Sequence, residues 1–317
     1  MVGVVREDDE SREVSYFRTP PVFYVINNSK KILDKVIGCL RDMGYLPKIG
    51  LEVEFYALRV DGIEQLADAV NNFARTEGID QNGTSAETGE DQFEIEFNPY
   101  LDICKLVDDF ESLRNFLLDS EFDVLFDALP FYGRARSALQ INISLNNGAR
   151  KNLFVRGPDG EENGLLLNSV AGILGATNGF LPLYIKSEED LLMFDQEFNC
   201  LVHSRGGNPA PTYNSWGINN RSCSVRIPTP KNFFSEKEYR TEGMLNRRIE
   251  FRVATADCNL EYALFGLLYS VLWGIQNKLE PPPATSNNVL VHHEGFRRIF
   301  VENNLWDILQ PSFFSEN

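Results

Sequence analysis

The sequence predicts an α+β chain, on three observations. Several short segments alternate apolar and polar residues with the period of two that a half-buried strand requires. Longer stretches between them carry the 3.6-residue spacing of amphipathic helices. No internal repeat, low-complexity linker or composition break divides the 317 residues, so the expectation is one domain, residues 21–317, behind a loose charged tail, residues 1–20.

In chain order, the tail contains REDDESRE and no core-forming residue. Ile32, Leu33, Val36, Ile37, Leu40 and Met43 then share one helical face, with Ser29 as N-cap and Gly44 as stop. Residues 50–58, GLEVEFYAL, follow as a strand. A second helix is expected over residues 63–74, and residues 77–90, rich in Gly, Asn and Ser, read as a loop. Residues 101–118 are a strongly amphipathic helix, and LQINISL is a strand. The PDGEENG segment marks a turn-rich stretch over residues 146–163. Residues 165–181 read as a buried helix, too interrupted by Asn, Ser and Thr for a membrane span. Residues 203–220, HSRGGNPAPTYNSWGINN, form a long loop of the kind that carries function. NRSCSVRIP is strand-like, residues 231–247 are polar surface, and RIEFR is a strand. A buried helix over residues 259–278 is stopped by Pro281, Pro282 and Pro283, and a final helix is expected from about Glu294.

The strands share an unusual polar face. Glu52 and Glu54 lie opposite Leu51, Val53 and Phe55; Glu94 and Glu96 lie opposite Phe93, Ile95 and Phe97. Gln140, Asn142 and Ser144 form the polar side of LQINISL, and Arg248, Glu250 and Arg252 that of RIEFR. Solvated sheet faces usually mix in Lys and Thr. Faces of acids, amides and arginines point instead to a shared polar interior that holds cations and phosphates.

Composition narrows the chemistry. With 43% hydrophobic and 12% aromatic residues the chain can bury a core. Thirty Lys and Arg against 46 Asp and Glu give a net charge of −16, which argues against nucleic-acid or anionic-membrane partners. Cys39, Cys104, Cys200, Cys223 and Cys258 are scattered without a CxxC pair, which points to a reducing compartment. With three histidines, two of them adjacent, a histidine-rich metal site is excluded, so a metal would be held by oxygens, as Mg or Mn. No apolar run of membrane-spanning length and no charged-apolar-small leader occurs in the sequence, so a cytoplasmic protein is expected.

Read together, Glu52-Val-Glu54-Phe, Gln92-Phe-Glu94-Ile, Asn220-Arg221-Ser, Arg226-Ile-Pro and Arg248-Ile-Glu250-Phe-Arg252 resemble, in order and spacing, the catalytic domain of glutamine synthetase, from about Lys30 to Leu279. The resemblance implies a curled antiparallel sheet forming a partial barrel with helices outside, with ATP and glutamate entering from opposite ends and two divalent cations, Mg or Mn, between them. It implies Glu54, Glu87 and Glu94 as ligands of the first cation, and Glu52 and Glu250 as ligands of the second. Arg221, Arg226 and Arg248 resemble the family's phosphate-contacting arginines, and Arg252 the one near the transferred phosphoryl group and the substrate carboxylate. Arg221 and Arg252 are therefore the catalytic candidates.

Three departures qualify the resemblance. The family's His-x-His-x-Ser strand reads Gln140-Ile-Asn142-Ile-Ser144 here, which leaves Gln140 as the third ligand of the second cation and weakens that site. The loop glutamate that takes a proton from ammonium has no counterpart, because residues 205–216 contain no acid, although Arg205 is a candidate for the substrate α-carboxylate. Only about 29 residues precede the first helix, too few for the family's N-terminal β-grasp domain, so a monomer or small homo-oligomer is expected. Two functions follow: an ATP-dependent carboxylate-amine ligase working through glutamyl phosphate on glutamate and ammonia or a larger amine, or a non-catalytic relative that binds or regulates. A phosphagen-type kinase is a third reading.

Overall fold

The computed structural model describes residues 20–157, 161–229 and 246–302. Residues 1–19 of the expected tail lie outside them, as does most of the expected polar surface at residues 231–247. At the start, α1 (Pro20–Asp42) buries Ile32, Leu33, Val36, Ile37 and Leu40 and ends before Gly44, whose φ of 84° suits glycine. The expected N-cap Ser29 is instead mid-helix. No helix breaker separates it from the two prolines that open α1, and its hydroxyl donates to the Glu261 carboxylate.

Strand β1 (Leu46–Ala57) pairs antiparallel with β3 (Gln92–Tyr100), β4 (Val124–Leu125) and β5 (Leu139–Asn146). Between β1 and β3 come α2 (Ile63–Glu77), ended by Gly78 at φ 68°, and β2 (Gln81–Ala86). The β2 strand corrects the expected loop. It is an edge strand with no fully buried position, so the backbone ladder to β3 makes it without any apolar periodicity. Helix α3 (Ile103–Leu118) starts at Asp102, whose side chain accepts from the Lys105 N–H at 3.1 Å.

Helix α4 (Gly164–Tyr184), N-capped by Asn163, is long and apolar enough to cross a membrane, but 67% of its most apolar window is buried and it packs on α6 (Leu260–Gln276). The two cross at glycines. A Cβ at Gly172 would lie 2.8 Å from the Gly274 Cα, closer than packed atoms allow. A 3-10 turn over Glu188–Phe194 leads into α5 (Gln196–Ser204).

The expected long loop at residues 203–220 carries two short strands, β6 (Tyr213–Asn214) and β7 (Trp216–Ile218). Strands β8 (Val225–Ile227) and β9 (Ile249–Phe251) complete the main sheet, ordered β2-β3-β1-β5-β9-β8-β7 with β4 beside β1. All its pairs are antiparallel except β7 with β8. The described strands do not close into a barrel: β2 and β7 end the path. Where a final helix was expected from Glu294, the described residues instead form β10 (Arg297–Arg298), paired with β6.

One contiguous core runs from Ile32 to Ile299. It lies on the apolar face of the sheet, where Leu51, Val53, Phe55, Ile95, Ile141, Ile143 and Phe251 meet the helices. The opposite face carries the polar residues, which places them together at the centre of the sheet.

Candidate active site

Strand register builds the site. Glu54 lies opposite Glu94, and Glu52 opposite Glu96, across β1 and β3. The β2–β3 hairpin brings in a third acid, because the Glu87 N–H donates to the Gln92 carbonyl at 2.8 Å just before the strand that carries Glu94. Glu54, Glu87 and Glu94 each offer a carboxylate oxygen within 4.8 Å of the other two. Among the described residues, no other His, Cys, Asp or Glu cluster of this kind occurs. Glu96 is drawn outward, accepting from Asn82 Nδ2 at 2.7 Å.

This crowding is electrostatically costly. Burial, opposed by Arg136 and reinforced by Glu87, raises the Glu54 carboxyl to about 7. Burial, with Glu52, Glu54 and Glu87 adding repulsion, raises Glu94 to about 8. Three oxygens this close with little positive charge among them fit a hard divalent cation such as Mg or Mn, which accepts carboxylate ligands.

The second set is arranged differently. Glu52 pairs with Gln140 across β1 and β5, Asn142 with Glu250 across β5 and β9, and Arg226 with Glu250 across β8 and β9. Glu250, 1% exposed, accepts from Arg252 at 2.6 Å on Oε1 and from Arg226 at 2.7 Å on Oε2. Gln140 donates through Nε2 to Glu54 at 2.9 Å and accepts from Arg252 at 2.6 Å. Asn142 does the same one pair along, donating to Glu52 at 2.9 Å and accepting from Arg248 Nε at 2.7 Å. Each amide thus relays a carboxylate to a guanidinium. Burial and the nearby Glu250 raise the Glu52 carboxyl, while Asn142 and Arg248 oppose the shift. Glu52, Gln140 and Glu250 do not fit a cation as the triad does, because both Glu250 oxygens and the Gln140 carbonyl already accept from arginines and one Glu52 oxygen accepts from Asn142.

A cavity of about 700 Å³ opens beside this network. Lys48, Arg150, Lys151, Arg221, Arg226 and Arg248 line it against only Glu52, Glu96 and Glu250, a positive lining in a chain of net charge −16. The Nε atoms of Arg226 and Arg252 are buried without a hydrogen-bond partner, donors that an anion would satisfy. These features fit a polyphosphate. Arg221 is exposed at the rim, on a turn where Asn220 accepts from the Ser222 N–H at 3.1 Å. Arg205 is also exposed and donates to the Tyr132 carbonyl at 3.3 Å.

These residues sit on a chain that matches the family described as "Glutamine synthetase, catalytic domain" over residues 57–299. The chain belongs to the glutamine synthetase family. That match begins just after Glu54, so the two β1 glutamates rest on register and geometry. Among relatives, the gamma-glutamylputrescine synthetase PuuA of Escherichia coli K12 is 25% identical over 296 residues, covering 82% of this chain and 58% of that protein. The glutamine synthetase of Thermotoga maritima is 25% identical over 284 residues, covering 81% of this chain and 59% of the relative. The chain thus spans about 58–60% of such relatives' length. A structure described as a novel glutamine synthase homolog superimposes with TM-score 0.66 at 17% identity, over 89% of this chain and 65% of that one. A GmaS structure without ligand gives TM-score 0.62 at 17% identity, over 88% and 66%. These likenesses show the fold of the family and not a reaction.

Sequence reasoning missed Arg136. It is buried in the segment just before β5, donates to the carbonyls of Val253 at 3.1 Å and Ala254 at 3.3 Å and to that of Arg252, and lies beside Glu54. Burial lowers its guanidinium to about 10, against the opposing pull of Glu54. The signal was its parity: Arg136 continues the polar period of Gln140 and Asn142 toward the start of β5. The loop before Asn220 reaches the segment that carries Glu87, with Asn208 Nδ2 donating to Thr88 Oγ1 at 3.0 Å.

Proposed function

We propose that the chain is an ATP-dependent carboxylate-amine ligase that joins glutamate to an amine through a γ-glutamyl phosphate. One observation carries this reading: an acid cluster suited to a divalent cation and a cavity lined by Arg221, Arg226 and Arg248 lie on the same polar sheet face. In the reaction, a carboxylate oxygen of glutamate attacks the γ-phosphorus of ATP, the bond to the β-phosphate oxygen breaks, and ADP leaves. The amine nitrogen then attacks the acyl carbon, loses a proton, and inorganic phosphate departs.

A divalent cation bound by Glu54, Glu87 and Glu94 supplies the charge that lets a substrate carboxylate approach a phosphoryl group. Arg226 and Arg248 neutralise the phosphates from the cavity wall, and Arg221 binds them at the rim, each guanidinium suited to two oxygens at once. Arg252 holds Glu250 and Gln140 in place, and its buried Nε has no hydrogen-bond partner. Residues 205–216 supply no carboxylate to attract ammonium or to take its proton. A larger primary amine, which carries its own binding energy, is therefore the favoured acceptor.

A second reading, a non-catalytic nucleotide-binding relative, is favoured by the absent loop acid and by the amides Gln140 and Asn142 where the family carries histidines. The experiment that separates the two is phosphate release in ATP, Mg or Mn and glutamate, with ammonium or a panel of primary amines and diamines. The ligase reading expects release that requires both glutamate and amine, and slow turnover with ammonium. No amine-dependent release across the panel would contradict it.

A further inference from the structure

We infer that Arg226 and Arg252 stand in the place of a second divalent cation, so that this chain binds one such cation, on Glu54, Glu87 and Glu94. The two carboxylate sets differ in the charge around them. Glu52 and Glu250 are met by three guanidinium groups: Arg226 and Arg252 on Glu250, and Arg248 through the amide of Asn142 on Glu52. Even with Glu96 opposite Glu52, three guanidinium groups balance the carboxylates, so this set has no negative charge left over to attract a dication. Glu54, Glu87 and Glu94 carry three negative charges once ionised, opposed by Arg136 and, more weakly, Arg252 near Glu54, and none of the three forms an ion pair with either guanidinium, so their local sum stays negative.

Ligand availability says the same. A cation needs oxygens that face it, and Glu250 has both of its oxygens held by guanidinium N–H groups, at 2.6 and 2.7 Å. Releasing them would leave two buried arginines, each 8% exposed, without a counter-charge. Gln140 is fixed in orientation from both sides: its NH2 is held by Glu54 and its carbonyl by Arg252. Turning that carbonyl to a cation would break the Arg252 bond and, if the amide flips, set its oxygen against the Glu54 carboxylate. The strand register enforces the pairing, because Arg226 lies directly opposite Glu250 across β8 and β9. These are bonds within the fold rather than surface pairs, so the positive charge that a cation would bring is already built in.

This inference deepens the proposed ligase but is tested apart from it, by counting bound cation without nucleotide or substrate. The probe is Mn²⁺, its free concentration read by electron paramagnetic resonance during titration of the full chain. The expected result is one Mn²⁺ per chain, unchanged in stoichiometry and within twofold in affinity for Glu52→Gln, and weakened at least tenfold in Glu94→Gln. Two Mn²⁺ per chain, or loss of the bound Mn²⁺ in Glu52→Gln, overturns the inference, and so does failure to bind any. Melting curves of both variants show that they fold. Because no turnover is measured, an inactive chain that binds one Mn²⁺ still supports the inference while contradicting the ligase.

Discussion

Glu54 and Glu94 face each other directly across the β1–β3 ladder, so two carboxylates share one cross-strand position on a half-buried sheet face. Like charges in that position destabilise a sheet by up to about 1 kcal/mol, and burial adds to the cost. A fold keeps such a pair for what it binds. Above about pH 8, where both carboxyls are ionised, Glu94→Gln should therefore raise the stability of the cation-free protein by about 1 kcal/mol and abolish the additional stabilisation that Mn²⁺ gives the wild type. Thermal melts with and without Mn²⁺ check both parts.

The same crowding sets a pH dependence. Glu54 is raised to about 7 and Glu94 to about 8, so protons compete with a cation for these oxygens at neutral pH. In the cation-free protein the raised carboxyls favour the fold fully below their unfolded values near 4.5, and that contribution is lost as pH rises through about 7 and about 8. Cation binding runs the opposite way, because it needs the deprotonated form. Calorimetric titration with Mn²⁺ should show affinity rising at least tenfold from about pH 6 to about pH 8, with no further rise once both groups are ionised.

Two arginines on one cavity should respond differently to the same change. Arg221 is exposed at the rim, so Arg221→Ala should weaken ATP binding roughly tenfold with stability altered by less than about 0.5 kcal/mol. Arg226 is buried against Glu250, and Arg226→Ala should cost about 3 to 5 kcal/mol by leaving that carboxylate half-paired. Denaturant unfolding and nucleotide titration on both variants separate a group that only binds from one that also holds the fold.

The helix layer behind the sheet has its own test. Gly172 and Gly274 meet so closely that a Cβ on either would lie within 2.9 Å of the other's Cα. Gly172→Ala should destabilise by about 1 to 3 kcal/mol through overpacking, despite the better helix propensity of alanine. A chemical melt reads the sign, which local propensity alone would reverse.

What could be read from the sequence follows from what each residue does. β1, β3, β5 and β9 were legible because one face packs on helices and the other lines the site, which writes the period of two into the chain. β2, β6 and β7 were not: β2 has no buried position, and the others are two or three residues paired through backbone inside a Gly- and Pro-rich stretch. The start of α1 was misplaced because Ser29 looks like a cap but hydrogen-bonds to Glu261 from mid-helix. At the site, periodicity placed Glu52, Glu250 and Gln140 on the polar face. Their partners depend on register between strands far apart in sequence, as with Arg226 opposite Glu250, and no local spacing carries that. Arg136 escaped for a related reason, since its bonds go to the backbone of residues 252–254.

The central claim is that the site moves a phosphoryl group from ATP to a carboxylate. The most direct measurement uses glutamate labelled with oxygen-18 in its side-chain carboxylate, together with ATP, Mg and the best acceptor amine, and reads the inorganic phosphate by mass spectrometry. An acyl phosphate transfers one labelled oxygen to each phosphate released during amide formation, and this account predicts that result. Phosphate that carries no label, released at the same rate with or without glutamate, would show simple ATP hydrolysis and contradict the account.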